Sequence, residues 1–368
     1  MNEGNDRYKQ TGLAIKSKAG EFAERVTRET YEMQPELMGR FGPNGRRRTM
    51  EDTVFNLNYL AESLMIQSPK LFASYISWLK VLLAGYHVSA DDVAVNLRLI
   101  GETVREELGD EVYQLIEPYV ELGLSQVEGL PLELETFLAD ESPLAEEARA
   151  YHNALLEGDR RTASVTVMRL VENGRPIRDI YRYIFQASQY EVGRLWQTNK
   201  INVAQEHYCS AATQLIMSQL FPYIFSGVRS GYRLVATCIG EELHEIGLRM
   251  LADYFEMDGW DTYYLGANVP TRSIVAEVKK REANVLAISA TMTYHVHQVK
   301  ELIASIRETD ELGSLTVLVG GLPFNIDREL WKQVGADGYA PDADAAIQEA
   351  RRLLAFSASS PELEESAK

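Results

Sequence analysis

Apolar residues recur every three or four positions through the first 230 residues, after which short β-branched runs alternate with helical stretches. From about Gly12 to Leu124 this spacing is clear in EDTVFNLNYLAESLMI, PKLFASYISWLKVLLAGY and ADDVAVNLRLIGETVREEL. It predicts an all-α domain, 12–124, of five or six helices. Ser68 before Pro69 and Ser89 before Ala90 read as N-caps, and Gly85 closes the helix between them. Residues 125–141, acidic and proline-bearing, read as a linker. Four helical stretches follow in 142–229, bounded by Gly158-Asp159, by Asn173-Gly174 ahead of Pro176, and by Thr198-Asn199-Lys200. They predict an antiparallel four-helix bundle. Over 230–355 the runs YRLVATC, DTYYL, VLAIS, LTVLVGG and DGYA alternate with helices, the pattern of a doubly wound, flavodoxin-like parallel sheet. The tail 356–368 is small, polar and acidic and is expected to be disordered.

Composition narrows the partners. The 54 acidic against 37 basic side chains leave a formal charge of −17, which repels a phosphate backbone and argues against direct DNA binding. Two cysteines, Cys209 and Cys238, supply neither a disulfide framework nor a paired-cysteine metal site, which fits a reducing cytoplasm. MNEGNDRYKQ lacks an apolar signal core and no run is long enough to span a bilayer, so a soluble chain without membrane contact is expected. No catalytic constellation stands out, and the chain is not read as an enzyme.

In doubly wound sheets ligands sit at the carboxyl ends of the strands. Directly after the first strand stands Cys238-Ile-Gly240-Glu-Glu242-Leu-His244-Glu-Ile-Gly247. Gly247 lets a bulky ligand approach, and Glu242 can accept a hydrogen bond from the imidazole nitrogen of His244 that is not bound to metal. A lone loop histidine is more often a surface residue than a ligand. Context reverses that here, because the stretch resembles the D-x-H-x-x-G loop of cobalamin-binding domains related to methionine synthase, with Glu242 in place of aspartate. Gly259-Trp260, Leu265-Gly-Ala-Asn-Val-Pro270, Ser289-Ala-Thr291-Met292, Val319-Gly320-Gly321 and Gly335-Ala-Asp-Gly338-Tyr339-Ala extend the resemblance from about Tyr232 to Leu354. It implies cobalamin bound with its nucleotide tail off cobalt and His244 as the lower axial ligand. The same resemblance places Ser289 and Thr291 near the buried tail and Gly320-Gly321 against it; an ordinary strand-end turn is the alternative for the two glycines. His295 and His297, beyond the third strand, read more simply as solvated histidines than as contacts to the corrin edge.

In the bundle, Trp196 ends one helix and Glu206-His207 open the next. A flat apolar plate and two polar groups there suit a lid, and a core tryptophan beside a capping glutamate is the equal alternative. The spacing W-x(9)-E-H resembles that of the light-sensing cobalamin repressors of the CarH type, which implies adenosylcobalamin sheltered by Trp196, Glu206 and His207, with light breaking the cobalt–carbon bond. Those repressors carry histidine after the tryptophan, whereas this chain has Gln197, a poor cobalt ligand. A water-ligated light product is therefore expected.

The first domain contains no helix-turn-helix pattern. Its Met38-Gly-Arg40-Phe-Gly-Pro-Asn-Gly-Arg-Arg-Arg48 segment reads as a Gly/Pro turn with clustered arginines, either a solvated loop or a seat for carboxylates. The order of helical domain, bundle and cobalamin domain resembles the photocobilins, which implies a globin-like first domain and biliverdin as second chromophore. Arg47 or Arg48 would then hold a propionate, and Tyr59, Tyr75, Trp78 and His87 would line the pocket, without a thioether. Each aromatic taken singly reads as core. Three functions follow: a cytoplasmic adenosylcobalamin light sensor, a homo-oligomer whose assembly light alters and which acts on a separate effector protein; a corrinoid carrier for methyl transfer; or a cobalamin sensor with a haem-binding globin-like domain and His87 as proximal ligand.

Overall fold

The computed structural model describes residues 2–129, 133–225 and 228–359. The chain divides into two compact units: Met1–Thr136 with Glu191–Glu206, and Phe137–Tyr190 with His207–Lys368.

The first unit is helical throughout its described residues outside turns and loops. Six helices, α1 (Asn2–Ser17), α2 (Ala19–Met33), α3 (Glu36–Met65), α4 (Pro69–Ala84), α5 (Ala90–Leu108) and α6 (Asp110–Gly129), pack with α3 against α1 and α2, and with α6 against α4 and α5. Ser89 begins α5 with a capping box: its Oγ accepts from Asp92 N at 3.1 Å and its own N–H donates to Asp92 Oδ2 at 2.9 Å. The expected turn at Met38–Arg48 is corrected to a kink inside α3. Gly42 alone leaves the helical region, at φ 63°, and Pro43, which has no N–H to offer, restarts the helix.

The core of this unit contains a polar strip. Tyr75 donates to Asn56 Oδ1 at 2.8 Å, Asn56 Nδ2 to Asn96 Oδ1 at 3.0 Å, and Asn96 Nδ2 to Thr53 Oγ1 at 2.9 Å. All four side chains are buried, and each bond offsets the desolvation of the groups it joins. One residue before Thr53, burial pushes the Asp52 carboxyl up to about 6, helped by the charge of Glu51 and opposed by Arg48. The protonated form suits the fold better, so the stability Asp52 contributes is complete below its ordinary value of 3.8 and is lost as pH rises through about 6. Asp52→Asn is accordingly expected to stabilise the chain by about 1–2 kcal/mol near neutral pH, allowing for solvent screening. Urea melts at about pH 5 and about pH 7.5 check this, because the gain must grow with pH.

The second unit holds the sheet and the helical bundle, apart from Glu191–Glu206, which belong to the first unit. The bundle comprises α7 (Ala145–Leu156), α8 (Arg160–Glu172), a third rod made of α9 (Ile177–Ile180), a π-helical segment Tyr181–Gln186 and α10 (Ala187–Gln197), then α11 (Val203–Gln219) and the short α12 (Phe221–Ile224). Asp159 caps α8 by accepting from Thr162 N at 3.0 Å, and Gly174 turns the chain at φ 76°. Inside the bundle Tyr151 and Thr213 share a 2.8 Å hydrogen bond, and His152 Nδ1 lies 3.1 Å from Ser188 Oγ.

The sheet has five parallel strands in the order β2-β1-β3-β4-β5: β1 (Arg233–Ile239), β2 (Asp261–Val269), β3 (Val285–Ser289), β4 (Thr316–Gly320) and β5 (Gly338–Tyr339). This is the flavodoxin-like order. The strands are covered by α13 (Ile246–Met257), α14 (Thr271–Arg281), α15 (Val296–Arg307), the short α16 (Leu322–Ile326) and α17 (Leu330–Val334), and α18 (Ala343–Ser359). Because α18 runs to Ser359, it takes in the first residues of the expected disordered tail; 360–368 lie outside the described residues.

The bundle docks on α13. Tyr181, at the start of the π-helical segment, donates to Asp253 Oδ2 at 2.7 Å, and Arg249 reaches Gln214 O at 3.3 Å and Ser218 Oγ at 2.9 Å. A π-turn inserts one residue into the helix, which re-aims the side chains around it.

Candidate functional site

In an open parallel sheet the strand order reverses at one place, and there the loops after adjacent strands part to leave a crevice. Here that place lies between β1 and β3, which pair from Leu234↔Val285 to Cys238↔Ser289. The loop after β1 carries Glu242 and His244, and the loop after β3 carries Thr291 and Met292. Two residues with left-handed backbones brace the first loop: Glu241, at φ 66°, donates its N–H to Asn268 Oδ1 at 2.8 Å, and Asn268, at φ 53°, donates its own to Glu242 O at 3.0 Å.

Glu242 is fully buried, and its two oxygens face a ring of donors. Oε1 lies 2.6 Å from His244 Nδ1 and accepts from His244 N at 3.1 Å. Oε2 accepts from Thr291 N at 2.7 Å and Met292 N at 3.1 Å, and lies 2.9 Å from His295 Nδ1. Burial alone would raise this carboxyl; the hydrogen bonds from His244, His295 and the two backbone amides outweigh it and hold the group well below the usual carboxylate range. The carboxylate contributes stability above its ordinary value of 4.5, and that contribution is lost only as pH falls far below it.

Glu242 thus bonds His244 in its own loop and reaches across to the amides of the β3 loop. His244 keeps 58 % of its side chain exposed. An imidazole that donates from Nδ1 to a carboxylate presents Nε2 as its basic nitrogen, the tautomer that metal ligation requires. Among the described residues no three His, Cys, Asp or Glu side chains are grouped to hold a metal ion. A single imidazole suits a metal that brings its other ligands in a macrocycle.

The surroundings fit such a guest. Leu243 and Leu322, at the carboxyl ends of β1 and β4, are 71 % and 54 % exposed, and a Cβ placed on Gly247 would meet nothing within 4 Å. A flat apolar ligand held by His244 would cover surface of this kind. The glycine pair has a different occupant: a Cβ on Gly321 (φ 99°) would lie 2.0 Å from Ala290 O, and one on Gly320 would lie 3.2 Å from Ala340 O. The space those glycines leave is filled by the chain's own backbone. Ser289, half-buried, ends β3 in register with Gly320. Thr291 serves through its backbone amide on Glu242.

His295 is corrected from a solvated residue to a buried one, 1 % exposed and bonded to Glu242. The loop following β3 turns it inward, which a two-residue spacing to His297 does not foretell. Glu245 is a second residue missed in the sequence. Its Oε1 accepts from Gln214 Nε2 at 3.2 Å, and its Oε2 from Tyr264 OH at 2.8 Å and Ala267 N at 3.1 Å, so it ties α11 and β2 to the loop.

The remaining expected residues fall elsewhere. Trp196 and Glu206 belong to the first unit, and His207, exposed, begins the second. Trp196 stacks on Trp78 with centroids 6.0 Å apart, and Gln197 Nε2 donates to Trp78 O at 3.0 Å. Tyr59 and Tyr75 stack at 3.7 Å in the helical core, and Tyr75 lies 6.3 Å from Trp78. Arg47 and Arg48 are exposed, Arg47 pairing with Glu51 at 3.3 Å. His87 sits on the exposed turn after α4 at φ 65°, its carbonyl accepting from Arg40.

Comparison with known proteins agrees with this geometry. Residues 232–348 match the B12 binding domain family, and residues 147–220 match a second family with the same description. The chain is a cobalamin-binding protein, with the sheet and the bundle as its cobalamin-binding parts. Its relatives include the dimethylamine corrinoid protein of Methanosarcina barkeri, 28% identical over 168 residues, which are 45% of this chain and 76% of that protein. A corrinoid protein of Desulfitobacterium hafniense is 25% identical over 206 residues, 55% of this chain and 94% of its own. The solved structure of the Methanosarcina barkeri monomethylamine corrinoid protein superposes with a TM-score of 0.50 at 22% identity, covering 57% of this chain and 99% of that one, and shares the fold. No helix among the described residues is long and apolar enough to cross a membrane.

Proposed function

We propose that the protein is a corrinoid carrier, binding cobalamin with His244 on the lower face and bearing an alkyl group on the upper face for transfer. The observation that carries this reading is the His244–Glu242 pair, set in a bundle-and-sheet module that aligns with the dimethylamine corrinoid proteins. Cobalamin supplies a cobalt–carbon bond that can be made and broken. The chain itself orients the lower imidazole, keeps its Nδ1 proton on Glu242 and shields that carboxylate from water. It carries the group and leaves catalysis to a separate transferase in the cytoplasm.

A second reading is favoured by Trp196 and Glu206-His207, whose spacing matches the CarH-type motif, and by the helices α1 to α6, which lie outside the regions matched by the two families. It makes the protein an adenosylcobalamin light sensor, with light-dependent assembly and biliverdin as the candidate second chromophore. Gln197, already bonded to Trp78 O, does not supply an upper ligand in that scheme.

One reconstitution separates the two. The carrier reading expects full-length protein loaded with methylcobalamin to be demethylated by a thiol acceptor when a corrinoid methyltransferase is added, and adenosylcobalamin-loaded protein to behave under green light as the free cofactor does. Dark-stable adenosylcobalamin, followed under green light by release of the adenosyl group and a change in sedimentation, would replace that reading with the sensor. Biliverdin added to the same samples should leave the visible spectrum additive unless the first unit binds it.

A further inference from the structure

Residues 160–182 hold six arginines, no lysine and only two acidic residues, Glu172 and Asp179, in a chain whose formal charge is −17. Arg178 is paired, with Asp344 at 3.3 Å and with Asp258 at 3.8 Å. Arg160, Arg161, Arg169, Arg175 and Arg182 are exposed, and none of them makes an ion pair or a side-chain hydrogen bond among the described residues. Elsewhere helix arginines are neutralised within their own helix. Arg25 meets Glu29 at 2.9 Å, Arg47 meets Glu51 at 3.3 Å and Arg281 meets Glu277 at 3.2 Å, each pair four residues apart.

Helix α8 does the opposite. Its buried side chains, Ala163, Thr166, Val167 and Leu170, face the bundle, which turns Arg161, Val165 and Arg169 outward at i, i+4 and i+8. A glutamate at position 165 would lie within reach of both arginines. The residue there is valine, 60 % exposed. Arg160 and Arg161 also occupy the first turn, where the helix dipole disfavours cations, and Asp159 at the cap offsets them only in part. The face thus keeps two guanidinium groups unneutralised on either side of an uncovered apolar side chain. That arrangement costs the isolated chain stability and suits the centre of an interface, where arginine is enriched.

We infer that the outer face of α8 is a docking site for an acidic helix of a partner protein. Two turns of helix separate Arg161 from Arg169 by about 12 Å. A second helix lying alongside offers carboxylates at the same separation from its own positions i and i+8, with an apolar residue at i+4 to cover Val165. Each guanidinium presents a planar fork that takes a carboxylate through two parallel hydrogen bonds, which a lysine cannot do. A phosphate polymer would use the arginines but leave Val165 wet, and its length would carry it onto the acidic remainder of the chain. A second copy of the chain would bring a like charge of −17 toward the first. The inference holds whichever group the cobalamin carries.

The experiment uses the full chain as wild type, as Val165→Glu and as the double variant Arg161→Ala/Arg169→Ala. The probe is a fluorescein-labelled helical peptide with glutamate, leucine and glutamate at i, i+4 and i+8; a control peptide has glutamine at both acidic positions. Anisotropy titrations should show the glutamate peptide binding wild type, with the control weaker by roughly tenfold or more and the affinity falling as salt rises. Val165→Glu gives both arginines a carboxylate of their own. It should melt no lower than wild type and still lose roughly tenfold or more in affinity for the peptide, as should the double variant. Arg272→Ala, at an exposed arginine of α14 that is likewise unpaired, should bind as wild type does.

Wild type that ignores the glutamate peptide would overturn the inference, and so would a folded Val165→Glu that binds it undiminished. Duplex DNA or phosphatidylglycerol vesicles bound more tightly than the peptide, and lost in Val165→Glu, would assign the face to a phosphate surface instead. Sedimentation that shows wild type self-associating and Val165→Glu monomeric would assign it to a second copy.

Discussion

Cobalamin bound to His244→Ala protein is expected to lose histidine ligation altogether, and its affinity should fall by about 100-fold, at the upper end for disruption of a metal-site side chain. The other hydrogen bonds on Glu242 survive the substitution. Glu242 keeps the amides of Thr291 and Met292, His295 and the backbone N–H of residue 244, so the loop should remain folded. It loses one of the two imidazoles that hold its carboxyl low, and the acid limb of the unfolding curve should therefore move upward in pH. Truncation also leaves a space beside Glu242 Oε1. Added imidazole is expected to enter it and restore part of the nitrogen splitting of bound cob(II)alamin. An affinity unchanged in His244→Ala would mean that the corrinoid is held by its own benzimidazole or by another side chain.

Gly321→Ala carries the largest expected cost in stability. Alanine at φ 99° is strained before any contact is considered, and its Cβ would stand 2.0 Å from Ala290 O, a backbone atom that cannot rotate away. The β3 and β4 ends must then separate where Ser289 pairs with Gly320. A loss of about 4 kcal/mol or more is expected, enough to lower the melting temperature of the second unit by on the order of 10 °C. Gly247→Ala is the contrasting case. Nothing lies within 4 Å of its new Cβ, so the apoprotein should melt as wild type does, while cobalamin affinity falls because the methyl group projects where the ligand would lie. Calorimetry of the two apoproteins followed by cobalamin titration separates the effects. Equal melting of both variants would contradict the packing described for Gly321.

The elements were legible from the sequence wherever local chemistry dictates them. All five strands overlap the runs YRLVATC, DTYYL, VLAIS, LTVLVGG and DGYA, and Ser89, Asp159 and Gly174 end or begin helices as their side chains and backbone freedom require. The Glu242–His244 pair was legible too, because two residues apart in one loop is a local relation. His295 was not. Its partner lies 53 positions away, and only the adjacency of β1 and β3 brings the two loops together. The same limit hid Glu245, whose three donors come from α11 and β2, and the packing of Glu191–Glu206 with the first unit. The π-helical turn at Tyr181 has the helical periodicity of its neighbours, and what distinguishes it is the seating of Tyr181 on Asp253. Arg46-Arg47-Arg48 looked like a turn because Gly42 and Pro43 precede it; one left-handed glycine suffices to bend a helix there, and the arginines resume it.

The bracing of the β1 loop has a kinetic side. With Glu241 N–H held by the Asn268 side chain, Asn268 N–H by the Glu242 carbonyl, and both Glu242 carboxylate oxygens occupied, most of the loop's ordering entropy is spent in folding rather than in ligand capture. The receptor is preorganised. Association should then be limited by diffusion of the corrinoid and by access to the crevice, with little curvature in its temperature dependence, and differences among corrinoids should show up in how long they stay rather than in how fast they arrive.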